Sequence, residues 1–137
     1  MGSADIHWPR ENNRIITGPL FCMIVLGVSI GHTMNGFAQV REIGTASYYA
    51  NKLHGMKTAS GELYHKDSLT AAHRSFAFGT KVKVTRLKNG RSVIVRINDR
   101  GPFVEDRILD LSEMAMKILD GLHDGIIEVK MQKLGFD

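Results

Sequence analysis

The chain has 137 residues, a length that suits one globular domain. Hydrophobic residues make up 43% of it and charged residues 23%, a balance that excludes a chain disordered throughout. The net charge is +4 and the basic residues form no run, so the sequence favours an anionic polymer or surface as partner and gives no support for a nucleic-acid site.

An uncharged stretch near the start is the first feature in chain order. Residues 15–40 contain no Asp, Glu, Lys or Arg, and Arg10 and Arg14 precede them. The apolar part, residues 20–30, is too short to cross a bilayer comfortably. It leads into the small-residue pattern that ends at Ala38, an arrangement typical of secretory signal peptides.

We therefore expect residues 1–38 to be a signal peptide cleaved after Ala38, and residues 39–137 to form one exported domain. A retained membrane anchor is the alternative. Cys22, the only cysteine, lies inside the apolar stretch and follows a phenylalanine, which disfavours lipidation. The processed domain would be a monomer without disulfides or a stable membrane anchor, placed in the periplasm or cell envelope or secreted.

Residues 43–50 are rich in Thr, Ser and Tyr and predict the first strand of the domain. Tyr48 and Tyr49 would lie on opposite faces of that strand, so one can pack inward while the other is free to bind a ligand. Residues 54–61 contain two glycines and predict a loop, and residues 71–74 predict a single helical turn.

A hairpin is the clearest local prediction. Asn89 and Gly90 separate two runs of β-branched residues, and both residue types tolerate the positive φ of a tight turn. The second run, from Val93, continues to Asp99, which is followed by a Gly-Pro pair that forces a turn. Strict alternation along this strand would place Asp99 at the end of an apolar row.

The rest of the chain predicts a short helix and a closing strand. Ser112 is a plausible N-cap for a helix over residues 113–119, whose apolar stripe would contain Met114, Ile118 and Leu122. Residues 126–134 alternate and predict the last strand. Many short strands with one helix, in about a hundred residues, indicate a small β-barrel.

Asp99 is the first candidate for chemistry. A carboxyl group at the end of an apolar strand face, held by a Gly-Pro turn, would be partly desolvated at a cleft. Desolvation favours the protonated form, which a general acid requires. The alternative is a structural turn aspartate, bonded to the backbone or paired with Arg100 or Arg107.

Glu62 and His73 are the other candidates. Glu62 could orient a substrate or tune the acid, or it could be a solvated loop residue. His73, which follows two alanines, could donate a hydrogen bond, or it could be a buried structural histidine. The histidine spacing gives no metal-ligand set, so we expect neither a metal nor a cofactor.

Several short motifs occur together in one order. They are Ala46-Ser47-Tyr48-Tyr49, His54-Gly55, Thr58-Ala59-Ser60-Gly61-Glu62, Thr70-Ala71-Ala72-His73-Arg74, Phe78-Gly79-Thr80, Asn89-Gly90-Arg91-Ser92, Asn98-Asp99-Arg100-Gly101-Pro102-Phe103 and Arg107-Ile108-Leu109-Asp110-Leu111-Ser112. Residues 44–134, which contain them, resemble the double-psi β-barrel domain of the rare lipoprotein A-like proteins. The resemblance implies a mainly β fold, a six-stranded double-psi barrel with one or two short helices.

The resemblance also implies an activity and roles for named residues. Active members of the family are endolytic lytic transglycosylases that cleave the β-1,4 bond between N-acetylmuramic acid and N-acetylglucosamine in peptidoglycan glycan strands, preferring peptide-poor strands and leaving 1,6-anhydro ends. Asp99 takes the place of the catalytic acid, with Glu62 and His73 as supporting residues. Tyr48, Tyr49 and Arg100 are the expected substrate-binding residues.

A second function class stays open. The family is related to expansin domains, so the chain could be a non-catalytic module that binds or loosens the wall. A secreted effector that attacks another cell's wall is a third possibility.

Overall fold

The structure is a computed structural model that describes residues 39–135. The predicted signal peptide, its cleavage point and Cys22 lie outside these residues. Within residues 39–135, no helix is long and apolar enough to span a membrane. The described part has six strands and one α-helix, with a 3-10 turn at Asn51–Leu53: β1 Arg41–Tyr48, β2 Thr70–Ala72, β3 Lys81–Arg86, β4 Ser92–Asp99, β5 Arg107–Leu111, α1 Glu113–Ile118 and β6 Ile127–Gly135.

The six strands close into a barrel in the order β1-β5-β2-β4-β3-β6. Two of the pairs are parallel, β1 with β5 and β2 with β4, and the other four are antiparallel. Closure removes the exposed strand edges that would otherwise invite pairing with other chains. The predicted six-stranded barrel with one or two short helices is confirmed.

Alternating apolar residues fill the interior of the barrel. In β3 and β4 the inward positions are β-branched residues, which suit a half-buried pleated strand. The fully buried set includes Ala46, Ala71, Val82, Val84, Val95, Ile97, Leu109, Leu111, Val129 and Met131. The predicted hairpin is also confirmed, since Val82 pairs with Val95 and Val84 with Val93. At its turn only Gly90, with φ of +71°, adopts the left-handed region.

Two local predictions are wrong. Residues 71–74 do not form a helical turn, because Thr70–Ala72 is strand β2, held between β4 and β5. Helix α1 begins after Ser112, whose hydroxyl accepts from the amide of Ala115 as predicted, but its buried residues are Ala115 and Met116. Of the predicted stripe, Ile118 is exposed and this part of the prediction is wrong, whereas Met114 is half-buried and Leu122 packs against the core.

Candidate active site

Asp99 lies at the end of β4, just after a bulge. Ala71 pairs with Ile97 and Ala72 pairs with Asp99, so Asn98 is the extra residue of β4. Ile97 and Asn98 are both buried, whereas Asp99 is half-buried. Strict alternation therefore stops before Asp99, and the prediction that it ends the apolar row is wrong. The bulge turns its carboxyl group toward the loop that contains Ala59 instead.

Three donors hold the two oxygens of the Asp99 carboxyl group. Oδ1 accepts from the backbone amides of Ala59 and Arg100, both at 2.8 Å. Oδ2 accepts from the hydroxyl of Tyr49 at 2.6 Å. The two amides are fixed donors and occupy Oδ1, so a proton on Asp99 belongs on Oδ2. The Tyr49 hydroxyl can donate to the ionised carboxylate or accept from the protonated acid.

Tyr49 is held in place on both sides. Its ring centroid is 4.6 Å from that of Tyr64, which is buried. Burial and the hydrogen bond to Asp99 raise the pKa of Tyr49, so it stays a neutral phenol at any physiological pH. Tyr49 was predicted to bind substrate, and the structure places its hydroxyl on the candidate acid.

The alternative that Asp99 pairs with Arg100 or Arg107 is wrong. The alternative that Asp99 is bonded to the backbone is correct, since two backbone amides donate to it. Within residues 39–135, the ion pairs do not include Asp99. Nη1 of Arg100 donates to the carbonyls of His73 and Phe76, at 3.3 and 2.7 Å. The Arg100 guanidinium also lies 4.0 Å from the ring centroid of Phe78. Its predicted part in substrate binding stays a prediction.

Glu62 lies in the same loop as Ala59, whose amide bonds Asp99, and its carboxylate contacts the neighbouring residue Asn98. The loop bonds to β4 through the amide of Ala59 on Asp99 and the amide of Ser60 on the carbonyl of Asn98. Both Glu62 oxygens accept from Arg96, at 2.7 and 2.8 Å, and Oε2 also accepts from Asn98. These hydrogen bonds lower the pKa of Glu62, so it is a carboxylate and not an acid at neutral pH.

His73 follows β2 directly and is bonded to Asp99 through the backbone, since its amide donates to the Asp99 carbonyl. His73 is buried, with 7% of the residue exposed, and its ring stacks on Phe76 and accepts through Nδ1 from the amides of Ser75 and Phe76. Burial, and then the nearby charge of Arg100, lower the pKa of His73 to about 4. The ring is therefore neutral, with its proton on Nε2, which makes Nε2 a donor.

Tyr48 is the last residue of β1 and has different surroundings from Tyr49. It packs against the barrel core and lines an open cavity with Ala50, Asn51, Glu113 and Leu122. Asp99 does not line this cavity. The predicted part of Tyr48 in substrate binding stays a prediction.

Asp110 is a site residue that the sequence did not single out. The parallel pairing of β1 with β5 brings Ser47 opposite Asp110, and the Ser47 hydroxyl donates to Oδ1 at 2.6 Å. Asp110 also pairs with Ala72, whose other partner is Asp99. Its sequence context gave a hint, because Asp110 also follows a buried apolar residue, Leu109, near the end of a strand.

The arrangement has one acid position at the end of β4, one neutral histidine directly after β2, and one ionised carboxylate in the loop that bonds to β4. Among residues 39–135, no group of three or more His, Cys, Asp or Glu side chains is arranged to hold a metal ion. Proton transfer at Oδ2 of Asp99 is the chemistry that this set of residues offers most directly.

Comparisons with known proteins show the family of the chain. The family model described as "Lytic transglycolase" matches residues 41–131. An endolytic peptidoglycan transglycosylase RlpA of Pseudomonas aeruginosa is 48% identical over 101 residues, which cover 74% of this chain and 30% of that protein. The protein of the same name in Campylobacter jejuni is 43% identical over 109 residues, covering 80% of this chain and 37% of that protein.

This chain therefore spans about a third of the length of these two curated relatives. Among solved structures, a mutant of the Clavibacter michiganensis expansin in complex with cellohexaose has a TM-score of 0.54 and 26% sequence identity. The match covers 69% of this chain and 50% of the expansin.

Proposed function

This chain belongs to the lytic transglycosylase family of RlpA-like double-psi β-barrels, and we propose that it is itself an endolytic peptidoglycan transglycosylase. Its substrate would be the glycan strand, cleaved at the bond between N-acetylmuramic acid and N-acetylglucosamine, with peptide-poor strands preferred. The names of the relatives support this activity, and the contacts of Asp99 support the mechanism.

The single observation that carries the proposal is the asymmetric environment of the Asp99 carboxyl group. Oδ1 is occupied by two backbone amides, while Oδ2 meets only a hydroxyl that can reverse its direction. A proton can therefore sit on Oδ2 and leave it without any backbone change. Such an arrangement orients a general acid and keeps it fixed through the reaction.

The reaction would proceed in two proton transfers at Oδ2. The protonated acid donates its proton to the glycosidic oxygen as the bond from that oxygen to C1 breaks. The resulting carboxylate then accepts the proton of the muramic acid C6 hydroxyl, whose oxygen forms a bond to C1. The products are a free hydroxyl on the departing sugar and a 1,6-anhydro end, and Asp99 regains its proton.

Glu62 and His73 would position the substrate and not transfer protons. The sugar supplies its own nucleophile, so no second carboxylate has to activate water as in an ordinary glycosidase. An ionised Glu62 and the Nε2 donor of His73 are suited to binding hydroxyl and amide groups of the glycan.

The direct test is product analysis on purified, peptide-stripped peptidoglycan. We expect the protein to release fragments with 1,6-anhydromuramic ends, identified by mass spectrometry, and Asp99→Asn to release none. This substitution preserves the fold, because the remaining oxygen can accept both backbone amides and the Tyr49 hydroxyl can accept from the new amide. Hydrolysed ends, or no fragments from the unaltered protein, would contradict the proposal.

A non-catalytic wall-binding module is the second candidate, favoured by the likeness to an expansin whose structure contains cellohexaose. It predicts that peptidoglycan retains the protein in a pull-down, that Asp99→Asn leaves this retention unchanged, and that no bond is cleaved. Measurements on the unaltered protein and on Asp99→Asn therefore distinguish the transglycosylase from the binding module.

We also propose that residues 39–137 act as a monomer outside the cytoplasm, after removal of residues 1–38. The uncharged apolar stretch behind Arg10 and Arg14 supports this. N-terminal sequencing of the protein from a fractionated envelope should begin at Gln39. An intact N-terminus in the membrane fraction would indicate a retained anchor instead.

A further inference from the structure

The loop between β4 and β5 presents apolar side chains to solvent. Phe103 is 84% exposed and Val104 is 52% exposed. A large aromatic side chain left in water forgoes about 1.5–3 kcal/mol that burial would provide. The loop therefore carries an apolar surface that the fold of residues 39–135 does not use.

Arg74 fixes this loop. Its Nε donates to the carbonyl of Pro102 at 2.7 Å, and its Nη2 donates to the carbonyls of Val104 and Arg107, at 2.6 and 2.9 Å. One guanidinium thus holds the loop on both sides of Phe103. The exposed ring is presented by an anchored segment, so binding to it costs little ordering entropy.

The Phe103 ring lies close to Gly101 and Asp110. Gly101, two residues after Asp99, has φ of +125°, and a Cβ atom there would stand 3.7 Å from Cε2 of Phe103. Oδ2 of Asp110 would be 3.8 Å from the same point. An exposed ring and a carboxylate oxygen therefore flank one small space beside Gly101, two residues after Asp99.

We propose that Phe103, with Val104 beside it, forms a sugar-binding subsite for one pyranose of the glycan strand, next to the bond that Asp99 would cleave. A pyranose has an apolar C–H face that packs on an aromatic ring, and hydroxyl groups at its edge that donate to carboxylate oxygens. The Phe103 ring and Oδ2 of Asp110 offer these two partners together. The choice of ligand rests on the proposed function, and the subsite goes beyond the proton transfer at Asp99.

Ile43 provides a matched control, because it is 68% exposed and also apolar. It lies in β1 five residues before Tyr48, and Tyr48 pairs with Leu111, next to Asp110. Ser47, which pairs with Asp110, is four residues from Ile43, and at about 3.3 Å per residue this separates Ile43 from Asp110 by about 13 Å along the strand. Ile43 and Phe103 are thus both exposed and apolar, but Phe103 lies beside Gly101 and Asp110, whereas Ile43 does not.

The test measures binding of chitohexaose, a soluble β-1,4-linked glycan, by calorimetry in the Asp99→Asn background. We expect Phe103→Ala to weaken binding about 10-fold, Phe103→Trp to keep it near the parent value, and Ile43→Ala to leave it unchanged. Thermal unfolding checks that all four proteins are folded, which the exposure of both sites favours. In the active protein, Phe103→Ala should raise KM more than it lowers kcat.

The outcomes separate the subsite from the activity. If Phe103→Ala binds chitohexaose as well as its parent, or if the parent does not bind it, the subsite is overturned, whatever the products of the unaltered protein are. If binding depends on Phe103 but the unaltered protein yields no 1,6-anhydro ends, the subsite stands and the transglycosylase proposal fails.

Discussion

The hydroxyl of Tyr49 donates a 2.6 Å hydrogen bond to Oδ2 of Asp99, although the two residues are 50 positions apart in the sequence. Tyr49 is one residue past β1 and Asp99 ends β4, and these strands are not neighbours in the barrel. The bond reaches across the ends of β5 and β2 and makes Tyr49 a positioning residue for the oxygen that would carry the proton.

Tyr49→Phe should therefore lower kcat by about 10- to 100-fold and change KM little, because it removes the partner that orients Oδ2 without removing the ring. Tyr64→Phe is the matched control, since it removes a hydroxyl that accepts from the amide of Glu113. Steady-state release of 1,6-anhydro ends provides both constants. Equal effects of the two substitutions on kcat would contradict the positioning role of Tyr49.

Glu62→Gln should reduce activity by about 10-fold or more while the free energy of unfolding falls by only about 0.2–1 kcal/mol. The small stability effect is expected because the ion pair with Arg96 is half-exposed. Asp67→Asn, which removes the partner of Lys66 in another exposed pair, should alter neither quantity. Full activity of Glu62→Gln would show that its charge has no part in the reaction.

Unfolding should become easier as pH falls from 6.5 toward 4, in part because of His73. Its pKa is lowered from 6.5 to about 4 in the fold, so in this window the unfolded chain binds a proton that the folded chain does not. The stability from this source is complete above pH 6.5 and lost on acidification, by at most about 3 kcal/mol.

His73→Asn offers the comparison, since an amide oxygen can replace Nδ1 as acceptor for Ser75 and Phe76 but does not titrate. Denaturant unfolding at several pH values should give a shallower decline for this variant than for the unaltered protein. Identical slopes would mean that His73 is protonated as readily in the fold as in the unfolded chain.

Arg74→Lys should loosen the loop that carries Phe103, because an ammonium group cannot reproduce the planar fork that reaches three carbonyls. The amide of Arg107, which donates to the carbonyl of Val104, is a suitable reporter. Its hydrogen exchange should accelerate about 10-fold, while Arg41→Lys, at the start of β1, should leave it unchanged. Unchanged exchange in Arg74→Lys would mean that other contacts fix the loop.

Local chemistry made part of the fold predictable. The β3–β4 hairpin followed from Gly90 between two β-branched runs, and the start of α1 followed from Ser112, whose hydroxyl caps the helix. Both depend on residues within a few positions of each other, so the sequence contains the whole interaction. The order of the motifs predicted the barrel and identified Asp99 as the candidate acid. From residue types alone, Asp99 would have been interpreted as a structural turn aspartate.

The amino-acid sequence by itself determined four of the six strands, β1, β3, β4 and β6, together with the helix cap, the motifs of the family and the identity of the candidate acid. Tertiary structure decided that Thr70–Ala72 is a strand, because a three-residue buried segment has no periodicity and is defined only by its neighbours. It also decided which partners hold Asp99 and that Asp110 joins the site. Those contacts depend on parallel strand pairings and a bulge at Asn98, and pairings between distant segments are set by the closure of the barrel.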